Sequence, residues 1–353
     1  MRILFVTDAW LPHAQGVVTL LVELARALQA AGHEVVVIHP GQFRSRPCPG
    51  QRDMDLVLFP GRRLQALMEA ARPEAIHLAT EGPLGWAARR HCLRQGLPFT
   101  TAFHADFPEI LRATLGLPLA WGRRLSRRFH RVSQAVMVPG AQTLEHLSQA
   151  GMERLRLGPR GVDGRLFALA DPPLSHPPLG PLARPVSLYV GRISHDRNIE
   201  DFLRLDVPGS KVVCGDGPLA SGLRHRYPNV HWLGVLPRQE LARVYGAADV
   251  FVFPTRQATL GLAMLEAMAC GVPVAAYPVD GPMQLLGAGR AGAMHQDLRK
   301  AWRRALTVRR FEARSRALEF GWARAAEQFV AQLCVLPQAP VRNLGVTQTS
   351  FAR

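Results

Sequence analysis

In "LYVGRISHDRNIEDFLRL" (188–205) an apolar stretch ends at Gly191, Arg192 follows at once, and Arg197 stands five residues further on, ahead of a helical pattern. Gly191 has no Cβ and lets a ligand approach the backbone, while two guanidinium groups at this spacing can reach one pyrophosphate. The same residues also fit a pair of solvated arginines on a surface loop. A second glycine-rich strand-to-helix turn follows in "VVCGDGPLASGL" (212–223), where Gly215 and Gly217 flank Asp216 and Pro218 occupies a first-turn position. It matches neither the GxGxxG nor the Walker pattern, so neither NAD nor ATP is indicated.

"TRQATLGLAMLEAMACGVPV" (255–274) supplies the complementary chemistry. Leu260, Gly261 and Leu262 lead into a helix that stops before Gly271, with Pro273 beyond. Free N–H groups at such an entrance favour a sugar oxygen or a phosphate. Glu266, one turn in, is placed to accept two hydroxyl hydrogen bonds from a ribose diol. The alternative is a buried carboxylate tied to backbone amides, and such a charge needs a partner in an apolar helix. His104, in "FHADFP", follows a strand, where a histidine more often serves structure than catalysis.

The elements that must carry these groups follow a βα rhythm. The opening, "RILFVTDAWLPHAQGVVTLLVELARALQAAGHEVVVIHP", gives a strand at 3–7, a loop ending in Gly16, a helix with Leu21, Leu24, Ala25 and Leu28 on one face, and a strand at 35–38. Strands are expected again at 56–59, 75–78, 98–103 and 135–138, with helices at 61–71, 83–94 and 141–149. Apolar strands without alternation, separated by helices, indicate a parallel sheet covered on both faces. The proline-dense 168–185 resists helix and strand and marks a linker. A second set of strands follows at 186–190, 211–214, 230–233, 250–253 and 274–277, then an arginine-rich helical region over 297–334. The expected plan is α/β: a first Rossmann-like domain over 1–167, the linker 168–185, a second Rossmann-like domain with terminal helices over 186–335, and a loose tail over 336–353.

Composition agrees with this plan and narrows the partners. At 353 residues the chain exceeds the size of one ordinary core, and 48% apolar against 20% charged residues is globular. The net charge of +16 calls for an anionic partner, whether nucleotide phosphate, nucleic acid or an anionic membrane face. Only Lys211 and Lys300 among the 43 basic residues are lysine, so the charge also fits an arginine-rich surface. No basic-aromatic recognition motif separates from the βα pattern, and nucleic acid is not the expected partner. Five scattered cysteines form no CxxC pair, which argues against a disulfide framework or a zinc site and suits a reducing cytoplasm. No membrane-spanning stretch or signal peptide is expected.

"LAWGRRLSRRFHRV" (119–132) follows Pro118 and is amphipathic. Trp121, Leu125, Phe129 and Val132 fall on one helical stripe, and Arg123, Arg124, Arg127, Arg128 and Arg131 on the other side. Either the stripe packs on the first domain and the arginines are solvated, or the helix lies on an anionic bilayer.

Taken together, "VGRISHDRN", "VVCGDGPL", "HWLGVLPRQELARVYGAADVFVFPT" and "GLAMLEAMACGVPVAAYPVDGP" resemble the donor half of the family-four (group 1) retaining glycosyltransferases of GT-B fold, in which two Rossmann-like domains face each other across a cleft. "VTDAWLPHAQGVVTLL", "ATEGPLGWAAR", "FHADFPE" and "RGVDGRLF" resemble their acceptor half, and the likeness covers about residues 1–335. Within the family it is nearest to bacterial enzymes that transfer a hexose from GDP-mannose or a UDP-hexose to lipids. The resemblance implies that Arg192 and Arg197 hold the donor pyrophosphate, with arginine where the family usually has lysine. It implies further that Glu266 grips the ribose, that Gly261 and Leu262 meet the sugar or distal phosphate, that Gly16 lies close over the phosphates, and that His104 lies near the reacting sugar carbon; Gly191 and Gly215 are counted among the substrate-binding positions. The family's asparagine before that glycine is Gln15 here.

One family feature is missing. Eight residues before Glu266 the family places an acid that contacts hydroxyls of the transferred sugar, and this chain has Ala258, between Gln257 and Thr259. Losing one charged hydrogen bond costs roughly 1.5–3 kcal/mol, a slowing rather than an abolition. Gln257 or Thr259 is a candidate to replace the contact. The resemblance thus implies a metal-independent retaining hexosyltransferase using a GDP- or UDP-sugar and a lipid or glycan acceptor, cytoplasmic or peripheral on the inner face of the cytoplasmic membrane. The competing expectation is a degenerate member that binds nucleotide sugar with little turnover.

Overall fold

A computed structural model describes residues 1–11, 16–48, 51–103, 108, 111–112, 116–169, 182–257 and 260–337. The first half contains β1 (Arg2–Val6), β2 (Glu34–Ile38), β3 (Ser45–Cys48), β4 (Gln51–Val57), β5 (Ala75–Leu78), β6 (Thr100–Ala102), β7 (Val136–Val138) and β8 (Leu155–Leu157). The second contains β9 (Val186–Val190), β10 (Ser210–Cys214), β11 (His231–Gly234), β12 (Val250–Phe253), β13 (Val274–Ala276) and β14 (Gly292–Met294).

Each half is built on a six-stranded parallel sheet, in the orders β2-β1-β5-β6-β7-β8 and β11-β10-β9-β12-β13-β14. Both faces of each sheet are covered. In the first half Leu4, Val6, Ile76 and Leu78 point to one apolar cluster, and Ile3, Phe5 and Met137 to the other. This two-sided burial explains why strands such as "ILFV" lack alternation.

Three departures from the sequence reading matter. The stretch expected as a strand at 56–59 does not join the parallel sheet: β4 pairs antiparallel with β3 in a separate two-stranded ribbon. β8 and β14, each only three residues long, extend the far edges of the two sheets and went unrecognised. The helix Trp322–Gln332, grouped by sequence with the second domain, packs on the first. Ala326 and Phe329 join Ile3, Phe5, Leu21 and Leu24, and Leu336 N–H continues the contact by donating to Glu74 O. Its apolar face has no free surface to bury in the second half, whose sheet is already covered. Most of the expected linker (170–181) and most of the tail (338–353) lie outside the described residues.

The arginine excess has internal work in the second half. From the helix Arg310–Leu318, Arg310 donates to the carbonyls of Gly246, Ala248 and Cys270, and Arg314 to those of Gly164, Phe167 and Ala269. Arg316 reaches the carbonyls of Gln284 and Leu285. Several of these carbonyls end the helices Arg238–Ala247, Leu262–Ala269 and Asp280–Leu285, where orphaned acceptors and the negative dipole end favour a cation.

Candidate functional site

Both sheets change direction of winding at one point, and open α/β sheets bind ligands beyond the carboxyl ends of strands at such points. In the second sheet the reversal lies between β9 and β12, which are neighbours although β10 and β11 intervene in sequence. The turn after β9 carries Arg192 and Arg197, the turn after β10 carries Gly215, and the segment after β12 carries Gly261, Leu262 and Glu266. Three adjacent strands therefore deliver these residues to one edge.

Gly191 and Gly215 are bound to each other by geometry. Gly191 N–H donates to Cys214 O at 3.0 Å, and a Cβ on Gly215 would lie 2.0 Å from Gly191 O. With φ at +134°, Gly215 also holds a backbone conformation closed to ordinary side chains. Arg192 is half-buried, and its carbonyl accepts the Tyr189 hydroxyl at 2.7 Å. Arg197 Nε comes within 3.3 Å of Asp196 Oδ2 as an ion pair without hydrogen-bond alignment, and the Thr255 hydroxyl at the end of β12 lies 3.5 Å from Arg197 O.

Gly261 caps the helix Leu262–Ala269 with φ at +71° and, as a glycine, offers no side chain to accept from the first turn. A Cβ there would strike Leu285 and Met264 at 2.6 and 2.8 Å. Four residues along the helix from Leu262, Glu266 Oε2 accepts the Tyr245 hydroxyl at 3.2 Å. Burial pushes the Glu266 carboxyl up to about 7, against the pull of the Arg238 guanidinium and the Tyr245 hydrogen bond, with Glu23 adding to the rise. Burial likewise pushes the thiols of Cys92, Cys214 and Cys270 up to about 12, which leaves them unreactive.

The opposite wall comes from the first half. Gly16 opens the helix Gly16–Ala30, and a Cβ on it would meet no atom of the described residues within 4 Å, so their packing does not demand the glycine. Leu20 on this helix packs directly on Leu260 and Leu262, which brings the Gly16 helix onto the Gly261 entrance. One turn later Glu23 pairs with Arg238 of the other half at 3.3 Å. The reversal in the first sheet, between β1 and β5, is tied by Asp8. Its carboxylate accepts from the Thr80 hydroxyl at 2.7 Å and from Leu84 and Gly85 N–H at 2.8 and 3.3 Å, capping the helix Pro83–Gln95.

Not every expected residue can be placed. His104, Ala258, Thr259 and Gln15 lie outside the described residues. Arg238, Glu23 and Tyr245 were missed from sequence. A charged residue inside the otherwise apolar run "LLVELA" was the available signal for Glu23.

The helix Leu119–His130 sits on the first half with a face different from the expected stripe. Gly122, Ser126, Phe129 and His130 are buried, whereas Trp121 is 70% exposed and Leu125 only half-buried. The rotation has a polar cause: Glu81 Oε1 lies 3.0 Å from His130 Nε2 and accepts the Ser126 hydroxyl at 3.2 Å, and His130 Nδ1 lies 2.9 Å from Thr101 Oγ1. Arg123, Arg124, Arg127, Arg128 and Arg131 face outward.

Comparison with known proteins agrees with this architecture. Residues 14–165 match the model of Glycosyltransferase Family 4, and residues 184–307 that of Glycosyl transferases group 1. A GDP-mannose-dependent alpha-mannosyltransferase of Mycobacterium tuberculosis is 28% identical over 83% of this chain and 83% of its own length. An alpha-monoglucosyldiacylglycerol synthase of Streptococcus pneumoniae is 25% identical over 78% of this chain and 71% of its own. Among solved structures, sucrose-phosphate synthase from Thermosynechococcus elongatus superposes with a TM-score of 0.72 at 22% identity, over 93% of this chain and 97% of that one. With both halves matched in order and both reversals furnished as described, the chain belongs to the family-four, group 1 glycosyltransferases and is a GT-B hexosyltransferase that transfers a hexose from a nucleotide sugar.

Proposed function

We propose that this enzyme moves mannose or glucose from a GDP- or UDP-sugar to a membrane lipid or lipid-linked glycan, with retention of anomeric configuration and without a metal. The observation that carries the reading is the delivery of Arg192, Arg197, Gly215, Gly261 and Glu266 by three neighbouring strands to one sheet edge, against which Leu20 presses the Gly16 helix. Arg192 and Arg197 take the diphosphate, the glycine-capped entrance at Gly261–Leu262 meets the sugar or the distal phosphate, and Glu266 accepts the ribose hydroxyls. In the transfer the bond from the anomeric carbon to the phosphate oxygen breaks, the acceptor oxygen bonds to that carbon on the same face, and the acceptor proton passes to the departing phosphate. The protein's main task is to neutralise charge gathering on the nucleoside diphosphate, which two fixed guanidinium groups do without a cation. His104 stands beside the reacting carbon in this reading.

A lipid acceptor accords with the names of relatives such as the diacylglycerol glucoside synthase, and the outward arginines of the helix Leu119–His130 suit an anionic inner-leaflet surface. Among the described residues no helix is long and apolar enough to cross a membrane. Ala258 favours a second reading, a nucleotide-sugar binder with little turnover.

Radiolabelled GDP-mannose and UDP-glucose, each incubated with a bacterial lipid extract, test the proposal. Label is expected to enter the lipid phase at a rate unchanged by EDTA, and Arg192→Ala or Arg197→Ala is expected to lower kcat/KM by about 10²–10³. Absence of both transfer and donor hydrolysis decides for the binder.

A further inference from the structure

Between the two halves, close to the proposed ribose contact, lies a chain of side chains that the reaction itself does not call for. Arg238, at the start of the helix Arg238–Ala247, reaches across to Glu23 of the Gly16–Ala30 helix, with Nη1 3.3 Å from Glu23 Oε1. Its guanidinium lies over the Phe167 ring, 5.4 Å from the centroid, and that ring in turn stands edge-on to Tyr245 at 5.9 Å. Two turns along the same helix, Tyr245 donates to Glu266. One helix thus holds Glu266 by the Tyr245 hydroxyl and carries at its start a cation fixed by an acid from the opposite half.

We infer that Arg238 is a positioning residue of the donor site: braced by Glu23 and by the Phe167 ring, it keeps the Glu266 carboxylate an oriented anion, able to accept both hydroxyls of a ribose. The inference rests on the proposed role of Glu266. A protonated carboxyl donates one hydrogen bond and cannot accept from both members of a diol in the same way, so the anion is the form that binds. The groups facing Glu266 act with known signs. Arg238 favours the anion, Tyr245 donates to it, Glu23 opposes it, and Cys270 on the same helix stays a neutral thiol. Arg26 pairs with Glu23 at 2.8 Å from the outer side and moderates its charge. Because Glu23 belongs to the first half, the strength of the ribose contact depends on the approach of the two halves.

Opposite signs make the arrangement testable with GDP and UDP as probes, their affinity measured by isothermal titration from pH 5.5 to 9. In the unaltered protein binding should strengthen through a midpoint near neutrality. Arg238→Met should move that midpoint upward, weakening binding about five- to tenfold at pH 7 and restoring it to within about twofold at pH 9. Glu23→Gln should move the midpoint downward, and Arg238→Lys, which keeps the charge, should leave it near its original place. Uniform weakening at every pH by Arg238→Met and Glu23→Gln, with the midpoint fixed, overturns the inference and leaves the pair as a structural brace. Should Arg238→Met fail to fold, Arg238→Gln, for which the same upward move is expected, takes its place. Glu266→Gln separates the two claims. If it changes neither affinity nor pH dependence, the ribose reading itself is wrong; if it abolishes the pH dependence while Arg238 variants leave the midpoint fixed, only the inference is.

Discussion

In the proposed reading Glu266 serves binding at the expense of the fold. Its carboxyl titrates near 4.5 when exposed and at about 7 in the folded protein, chiefly because of burial. The folded state therefore holds a proton to higher pH than the unfolded state. The associated stability is complete below about pH 4.5 and is lost as pH rises through about 7, on the order of 3 kcal/mol in all. Replacing Glu266 by glutamine removes this dependence. Relative to the native chain, Glu266→Gln should gain on the order of 2–3 kcal/mol of stability between pH 4.5 and pH 8, read from urea midpoints at the two pH values. That Arg192, Arg197 and Glu266 merit attention was legible from sequence, because glycine before arginine at a strand end and a lone carboxylate in an apolar helix are local signals. Arg238 and Tyr245 were not, since nothing nearby in sequence distinguishes them from an ordinary surface arginine and a core tyrosine. Their importance comes from Glu23 and Glu266, which lie 215 positions before and 28 after Arg238.

At the scale of elements, parallel strands announced themselves through continuous apolar runs, and the expected second-half strands at 186–190 and 250–253 coincide with β9 and β12. Short edge strands such as β8 and β14 bury too few residues to leave a pattern. The helix Leu119–His130 shows a subtler limit. Its hydrophobic periodicity points to Trp121, Leu125, Phe129 and Val132, yet the buried side also contains Ser126 and His130, because hydrogen bonds to Glu81 replace apolar contact. Buried polar groups with partners are invisible to a hydrophobicity count. The two ends of the stripe should consequently respond differently to truncation. Phe129→Ala, at a fully buried ring in contact with Trp86, should cost about 3–5 kcal/mol of stability in a denaturation experiment. Trp121→Ala should leave stability nearly unaltered and reduce flotation with phosphatidylglycerol vesicles. Unchanged flotation would remove the membrane role assigned to this helix.

Across the molecule, the halves are joined by reciprocal polar contacts as well as by Leu20, Leu260 and Leu262. Asp280, from the second half, accepts from Thr143 N–H at 3.0 Å and from its hydroxyl at 3.2 Å, at the start of the helix Ala141–Gln149 of the first. It fits so closely that a Cβ on Gly140 would lie 2.2 Å from its Oδ2. Arg160, from the first half, answers by donating to Gln284 at 2.9 Å, while also binding the Pro139 carbonyl. Asp280→Ala removes a cap and strands buried donors, so it should destabilise the protein by about 1–3 kcal/mol and separate the unfolding of the two halves in a calorimetric scan. None of these cross-contacts was legible in the sequence, since each depends on how two independently patterned sheets come to face one another.

The return of the helix Trp322–Gln332 to the first sheet also governs how the protein is made. Ile3 and Phe5 share their cluster with Phe329, so the opening strand waits for a segment synthesised more than three hundred residues later. A ribosome adding ~5–20 residues per second needs roughly ten to thirty seconds to travel from β8 to that helix. During that interval one face of the nascent first sheet has the Gly16–Ala30 helix but lacks the rest of its cover. The second half can close its own core before the first can, and the amino-terminal portion, although born first, is completed last.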